Sequence, residues 1–127
     1  MSLRSTSLLL LATLLSLGAC ERGGTPPEDG GEYRAVLESP HGAEGAAAIE
    51  LTGAGILSIT STTGRIFTQS AGTTTHVVLV QEPAGPIEFR VTTAEGQAPP
   101  SARVVEVADG NDQPRASLGG YRVTFSR

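Results

Sequence analysis

The sequence has 127 residues, of which 17% are charged, and its formal net charge at pH 7 is −4. This acidic balance argues against a nucleic-acid-binding protein, because such proteins neutralise phosphates with a basic surface. The single cysteine, Cys20, excludes an internal disulfide, so packing and hydrogen bonds must stabilise the fold.

Residues 1–19 have the layout of an export signal. Arg4 supplies one positive charge, and the run from Leu8 to Leu17 is predominantly apolar. Crossing a bilayer takes about 20 apolar residues. The run therefore predicts the hydrophobic region of a signal peptide and not a transmembrane helix.

The end of this region carries a processing signal. Leu17, Gly18, Ala19 and Cys20 resemble the lipobox of bacterial lipoproteins. The resemblance implies cleavage between Ala19 and Cys20 and a diacylglyceryl thioether on Cys20. Two acyl chains anchor a protein stably, whereas one binds only marginally. We therefore expect an exported protein that is lipid-anchored in the bacterial cell envelope. By resemblance to enteric lipoproteins, Glu21 favours the outer membrane over the inner.

Residues 20–32 are predicted to be a lipidated cysteine and a flexible linker. Glycine, proline and acidic residues dominate from Glu21 to Glu32, and such a composition does not bury enough apolar surface to become ordered. A flexible chain of this length spans roughly 20 Å on average. We expect it to hold a small domain clear of the lipid headgroups.

Residues 33–127 have the pattern of an all-β domain. Short runs alternate between apolar and polar residues, and glycine or proline separates them at short intervals, which is typical of strands. Eight segments show this pattern: YRAVLES, AAAIELT, ILSITS, RIFTQ, TTTHVVLVQ, IEFRVT, ARVVEVAD and YRVTFS.

This spacing of strands and turns predicts an antiparallel β-sandwich of immunoglobulin-like or cohesin-like type, with a small barrel as the alternative. The run THVVLVQ is apolar on both faces, so we place it at the centre of a sheet. The short run RIFTQ is expected at an edge. The alternation also predicts that Leu57 and Ile59 share one face.

The sequence offers no pattern that specifies catalysis or a cofactor. The two histidines, His41 and His76, fall in a predicted loop and a predicted strand, and no GxSxG motif accompanies them. We therefore expect a protein that is not an enzyme, with a hydrolase as the remaining alternative.

Two further kinds of ligand are weighed from the residues. Asp109, Asn111 and Asp112 group oxygen ligands that calcium accepts, but their loop departs from the EF-hand pattern and has the composition of an ordinary turn. No metal ligand is assigned.

Glycan binding usually needs exposed aromatic rings, and Phe67 on the predicted edge strand is the only plausible one. Tyr33, Phe89, Tyr121 and Phe125 are expected in the core.

Three segments between Ala46 and Asp112 follow one another along the chain: GAGILSITSTTGRIF, THVVLVQEPAGPIEFRVT and ARVVEVADGND. Their order resembles the order of strands in cohesin-like modules. Cohesin-like modules are secreted β-sandwiches that bind protein partners or lie beside carbohydrate-binding relatives. The chain is also similar to the small lipoproteins of bacterial envelopes. These resemblances imply a non-catalytic binding or structural domain, with an envelope protein as its partner. Glycan or calcium binding is the alternative, and the oligomeric state stays open.

Overall fold

The computed structural model describes residues 30–127. The predicted signal peptide, Ala19, Cys20 and most of the predicted linker lie outside the described residues. Eight strands follow: β1 (Gly31–Glu38), β2 (Glu44–Thr52), β3 (Ile56–Ser61), β4 (Arg65–Ala71), β5 (Thr74–Gly85), β6 (Glu88–Thr93), β7 (Ser101–Ala108) and β8 (Arg122–Ser126). Each contains most of one of the eight segments predicted from the sequence. β1 begins two residues before the predicted domain start at Tyr33, because Gly31 and Glu32 pair with β6.

The strands form two antiparallel sheets of four strands each. One sheet, here called sheet A, has the order β3-β6-β1-β8, and the other, sheet B, has the order β4-β5-β2-β7. One core cluster contains side chains from both sheets, as in a β-sandwich. The predicted all-β sandwich is therefore confirmed.

The core follows from the period-two alternation of each strand, because successive side chains point to opposite faces of a sheet. In β6, Phe89 and Val91 are fully buried, while Arg90 between them is exposed. Strands β1, β2, β5 and β7 contribute buried aliphatic residues in the same way: Ala35, Leu37, Ala47, Ile49, Leu51, Val77, Leu79 and Val107. The predicted core aromatic residues also lie inside, with Tyr33, Phe89 and Tyr121 buried and Phe125 partly buried.

The predicted positions of two strands in their sheet are confirmed. β5, which contains THVVLVQ, lies between β4 and β2, and β4, which contains RIFTQ, is an edge strand. On β5, Val77 and Leu79 are buried, whereas His76 and Val78 are exposed. β5 therefore presents an outer face that is apolar in part.

The prediction for β3 is wrong at Leu57. Ile56 pairs with Thr93 and Ser58 with Thr92, so Leu57 is an extra residue at a β-bulge. Ile56 and Ile59 pack against the core, whereas Leu57 is 67% exposed. A bulge breaks the alternation on which the prediction rested.

Candidate functional site

The residues predicted to be processed, Ala19 and Cys20, lie outside the described part of the chain, so the cleavage between them and the lipidation of Cys20 stay predictions.

The structure places the two histidines in different surroundings. The His41 ring lies 6.1 Å from the Tyr121 ring between centroids, and His76 Nδ1 lies 3.9 Å from Glu50 Oε2. Ser39, close to His41 in the chain, donates its hydroxyl hydrogen to Glu44. The structure thus offers neither histidine as the base for this serine.

Glu44, at the start of β2, is a buried carboxylate held by three side chains. Its Oε2 atom accepts hydrogen bonds from the hydroxyls of Ser39 and Tyr121, each at 2.5 Å. Its Oε1 atom accepts one from Arg115 Nε at 3.0 Å, and Arg115 Nη2 lies 2.9 Å from the same oxygen. The Glu44 side chain is only 2% exposed.

The pKa of Glu44 lies below its ordinary value. Burial alone would raise this pKa, because the charged form loses its water. The hydrogen bonds from Ser39, Tyr121 and Arg115 outweigh burial. Burial, together with the bond to Glu44, also raises the pKa of Tyr121, and the bond to Glu44 raises the pKa of Arg115. At neutral pH the carboxylate is therefore charged and both of these partners keep their protons.

These contacts fasten the connection between β7 and β8 to the start of β2. Arg115 and Tyr121 both belong to that connection, and the backbone N–H of Arg115 also donates to the carbonyl oxygen of Val107 at 2.7 Å. A carboxylate offers about four acceptor positions, and the four contacts of Glu44 occupy that number. We therefore interpret the cluster as structural support and not as a reactive site.

Sequence reasoning missed Glu44 because a bulge reverses its direction. Ala47, Ile49 and Leu51 face the core, so strict alternation would point Glu44 towards solvent. The register with β5 shifts between Glu44 and Ala46, and this shift turns the carboxylate inward. Gly45 is the one signal at this position, because a glycine inside a strand often marks a bulge or a close backbone approach, and a Cβ there would clash with the carbonyl oxygen of Asp109.

The loop considered for calcium is a turn closed by its own side chain. Asp109 Oδ1 accepts hydrogen bonds from the backbone N–H groups of Asn111 at 2.8 Å and Gln113 at 3.0 Å. These two hydrogen bonds lower the pKa of Asp109, and the bond from Gln113 has the larger effect. Within residues 30–127, no three or more His, Cys, Asp or Glu side chains form a group that could hold a metal ion. Asp109 thus holds the loop as a turn through hydrogen bonds from the loop's own backbone.

The outer face of sheet B carries an exposed apolar row. Phe67 on β4 lies opposite Val78 on β5, which lies opposite Ala48 on β2. Phe67 is 57% exposed and Val78 40%. An open groove of about 460 Å³ lies here, lined by Phe67, Thr68, Gln69, His76 and Val78. The exposure predicted for Phe67 is confirmed, whereas the neighbouring groove was not predicted.

β4 presents an unprotected sheet edge. Edge strands usually carry bulges, charges or prolines, or are very short, and these features prevent another strand from pairing with them. β4 has seven residues, six of them exposed, and its register with β5 is unbroken. Arg65, its first residue, is its only charged side chain.

The other three edge strands have such features. β3 has the bulge at Leu57, and β7 has a register shift that leaves Val105 as an extra residue opposite β2. β8 is short, with only five residues. Among residues 30–127, β4 is therefore the edge best suited to pair with a further strand.

The hairpin between β4 and β5 determines which backbone groups of β4 are free. Gly72 and Thr73 form a two-residue loop closed by Ala71 and Thr74, and Gly72 has a φ of 65°. Such tight hairpins close on a hydrogen-bonded pair, and the bonding direction alternates along a strand. The N–H and C=O groups of Ile66, Thr68 and Ser70 therefore point away from β5.

Residues 30–127 include no helix with the length and apolar character needed to cross a membrane. Comparison of the chain with protein-family models, curated proteins and solved structures found no match. The lipobox and cohesin-like resemblances stay predictions from the sequence.

Replacement of Glu44 by glutamine tests the buried cluster. We expect Glu44→Gln to lower the free energy of unfolding by about 2 to 4 kcal/mol at pH 7, because Arg115 loses its charged partner in a buried site. Since the pKa of Glu44 is lowered by folding, its contribution is complete above the unfolded value of about 4.3. It is lost as pH falls through the folded value.

Denaturant unfolding of both proteins from pH 7 to pH 3 measures this effect, and the difference between them should narrow below about pH 4.3. Glu38→Gln is the matched control, because Glu38 forms an exposed ion pair with Arg122. It should change stability by less than about 1 kcal/mol. A difference between wild type and Glu44→Gln that stays constant with pH would contradict the role of the charged carboxylate.

Proposed function

We propose that this protein is an exported lipoprotein that acyl chains on Cys20 hold in the bacterial cell envelope, at the outer membrane. Its β-sandwich is a binding module and not an enzyme. The partner is a protein that adds a strand to the free edge of β4.

The support for the anchor comes from the order of features at the start of the sequence. One positive charge, an apolar run too short to cross a bilayer and a small residue before Cys20 follow each other. A diacylglyceryl group on Cys20 would supply the two chains that stable anchoring requires. The acidic, glycine-rich and proline-rich stretch that follows Cys20 is suited to a tether.

The observation that carries the binding role is the open edge of β4. Ile66, Thr68 and Ser70 direct their N–H and C=O groups away from β5, so an added strand would find its hydrogen-bonding partners already in position. Strand addition obtains affinity from such main-chain bonds and specificity from neighbouring side chains. Phe67 and Val78, both substantially exposed beside this edge, would supply an apolar contact.

A glycan is the second candidate ligand, on one observation. The groove beside Phe67 is also lined by Thr68, Gln69 and His76, which combines an exposed ring with hydrogen-bonding side chains. Glycan binding would depend on the Phe67 ring and not on the backbone N–H of Thr68.

Replacement of Cys20 by serine tests the anchor. Serine cannot form the thioether, so we expect Cys20→Ser to lose its membrane association, whereas wild type sediments with the envelope fraction. Mass spectrometry of the N-terminal peptide of the wild-type protein should show Cys20 as the first residue, with the mass of a diacylglyceryl group added. An unmodified thiol, or a peptide that begins upstream of Cys20, would contradict the proposal.

Proline at position 68 tests strand addition. Proline is tolerated on an edge strand where its missing N–H would face solvent, so we expect Thr68→Pro to fold while it blocks pairing. Thr68→Val is the matched control, because it keeps the shape and the backbone N–H. A photo-crosslinking phenylalanine analogue at position 67 of the full chain, in intact cells, should join one protein species in the control and none in Thr68→Pro.

The same photo-crosslinking analogue at position 105 measures the background of non-specific crosslinking, because Val105 is exposed on the bulged edge strand β7. Equal crosslinking with proline and with valine at position 68 would rule out strand addition. Retention on isolated envelope polysaccharide that is lost in Phe67→Ala but kept in Thr68→Pro would instead support the glycan candidate.

A further inference from the structure

We propose that the strand added to β4 is β4 of a second copy of this chain, in antiparallel orientation, with Phe67 opposite Phe67 of the second copy. This inference rests on the proposed function, because it names the partner at the same edge. The result would be one continuous eight-stranded sheet made from two copies of sheet B.

The backbone of β4 fits this arrangement. With Phe67 on the two-fold axis, Ile66 lies opposite Thr68 of the second copy, and Thr68 opposite its Ile66. The free N–H and C=O groups belong to these residues, so both pairs are hydrogen-bonded pairs. The two Phe67 residues then form a pair without mutual hydrogen bonds, in which the side chains approach more closely and the Cα atoms are about 4.5 Å apart.

The side chains fit it as well. Phe67 lies opposite Val78, and Val78 opposite Ala48, on the outer face of sheet B. A second copy in this register extends the row to six apolar residues, three from each copy. Cross-strand aromatic pairs stabilise antiparallel sheets, and the pair covers Phe67, which is 57% exposed in the single chain.

The charges allow β4 to pair with itself. Arg65 is the only charged residue of β4, and this register places it opposite Gln69 of the second copy. The two Arg65 residues are then four positions apart, about 13 Å along the strand, which exceeds the screening length of about 8 Å at physiological salt. No like charges face each other.

A shift of one residue would lose this match. With Thr68 on the axis, Phe67 would lie opposite Gln69, and the apolar row would be interrupted at the interface. The ring would remain without an apolar partner across the edge. The exposure of Phe67 therefore favours the register that pairs the two rings.

Single cysteines placed along β4 of the full chain test both the partner and the register. Only the residue on the two-fold axis lies opposite its own copy, and only there can one variant form a disulfide across the pair. The variants are Ile66→Cys, Phe67→Cys, Thr68→Cys and Gln69→Cys, each oxidised in intact cells and resolved on non-reducing gels. We expect at least tenfold more disulfide dimer for Phe67→Cys than for the other three.

Two controls define the background. The parent chain, with Cys20 alone, reports any dimer that forms through that residue, and Val105→Cys reports random collision of an exposed thiol. Adding Thr68→Pro to Phe67→Cys should reduce the dimer to this background, because it removes two hydrogen bonds of the pair, one from the Thr68 N–H of each copy. Addition of Thr68→Val should leave the dimer unchanged.

The outcomes separate this inference from the proposed function. Phe67→Cys at background level overturns the second copy as partner, and a strongest signal at Thr68→Cys overturns the register. Photo-crosslinking from position 67 could then still join a different protein, and Thr68→Pro could abolish that crosslink. In that case strand addition to β4 is supported, with another protein as the partner. Absence of both kinds of crosslink contradicts the inference and the proposed function together.

Discussion

A β-sandwich leaves unpaired backbone at the edges of its sheets, and this constraint organises what is distinctive about the protein. Each of its two sheets has two edge strands, and an unpaired row of N–H and C=O groups attracts further strands. β3 and β7 carry bulges that interrupt such a row, and β8 is short. Among the edge strands of residues 30–127, β4 is the one that combines a length of seven residues with an unbroken register. The proposed binding role depends on this difference between the edges.

The buried cluster at Glu44 stabilises a different part of the sandwich. Through Arg115 and Tyr121 it holds the β7–β8 connection against the start of β2, at a site where charged and hydroxyl groups satisfy one another. A buried carboxylate is costly unless it is paired and hydrogen-bonded. The cluster therefore favours one arrangement of this connection, and the outer face of sheet B and the edge of β4 take no part in it.

The sequence predicted the strands well because alternation is a local property. Phe89 and Val91 alternate with Arg90, and the structure buries the first two and exposes the third. The central position of β5 was also predicted, from a run that is apolar on both faces, although the structure exposes its outer face at His76 and Val78. What alternation did not predict are the bulges at Leu57 and Glu44, where one extra residue or a shifted register reverses the direction of a side chain. The open edge of β4 emerged only once the pairing of all four edge strands was known.

Hydrogen exchange of the β4 amides, measured residue by residue in the full chain at low and high protein concentration, tests the central claim most directly. Self-pairing of an open β4 edge predicts that the amides of Phe67 and Gln69, which bond to β5, are protected at both concentrations. It predicts that the amides of Ile66 and Thr68 exchange fast when the chain is dilute and become protected when it is concentrated. Fast exchange of Ile66 and Thr68 at both concentrations would contradict an open edge that pairs with its own copy.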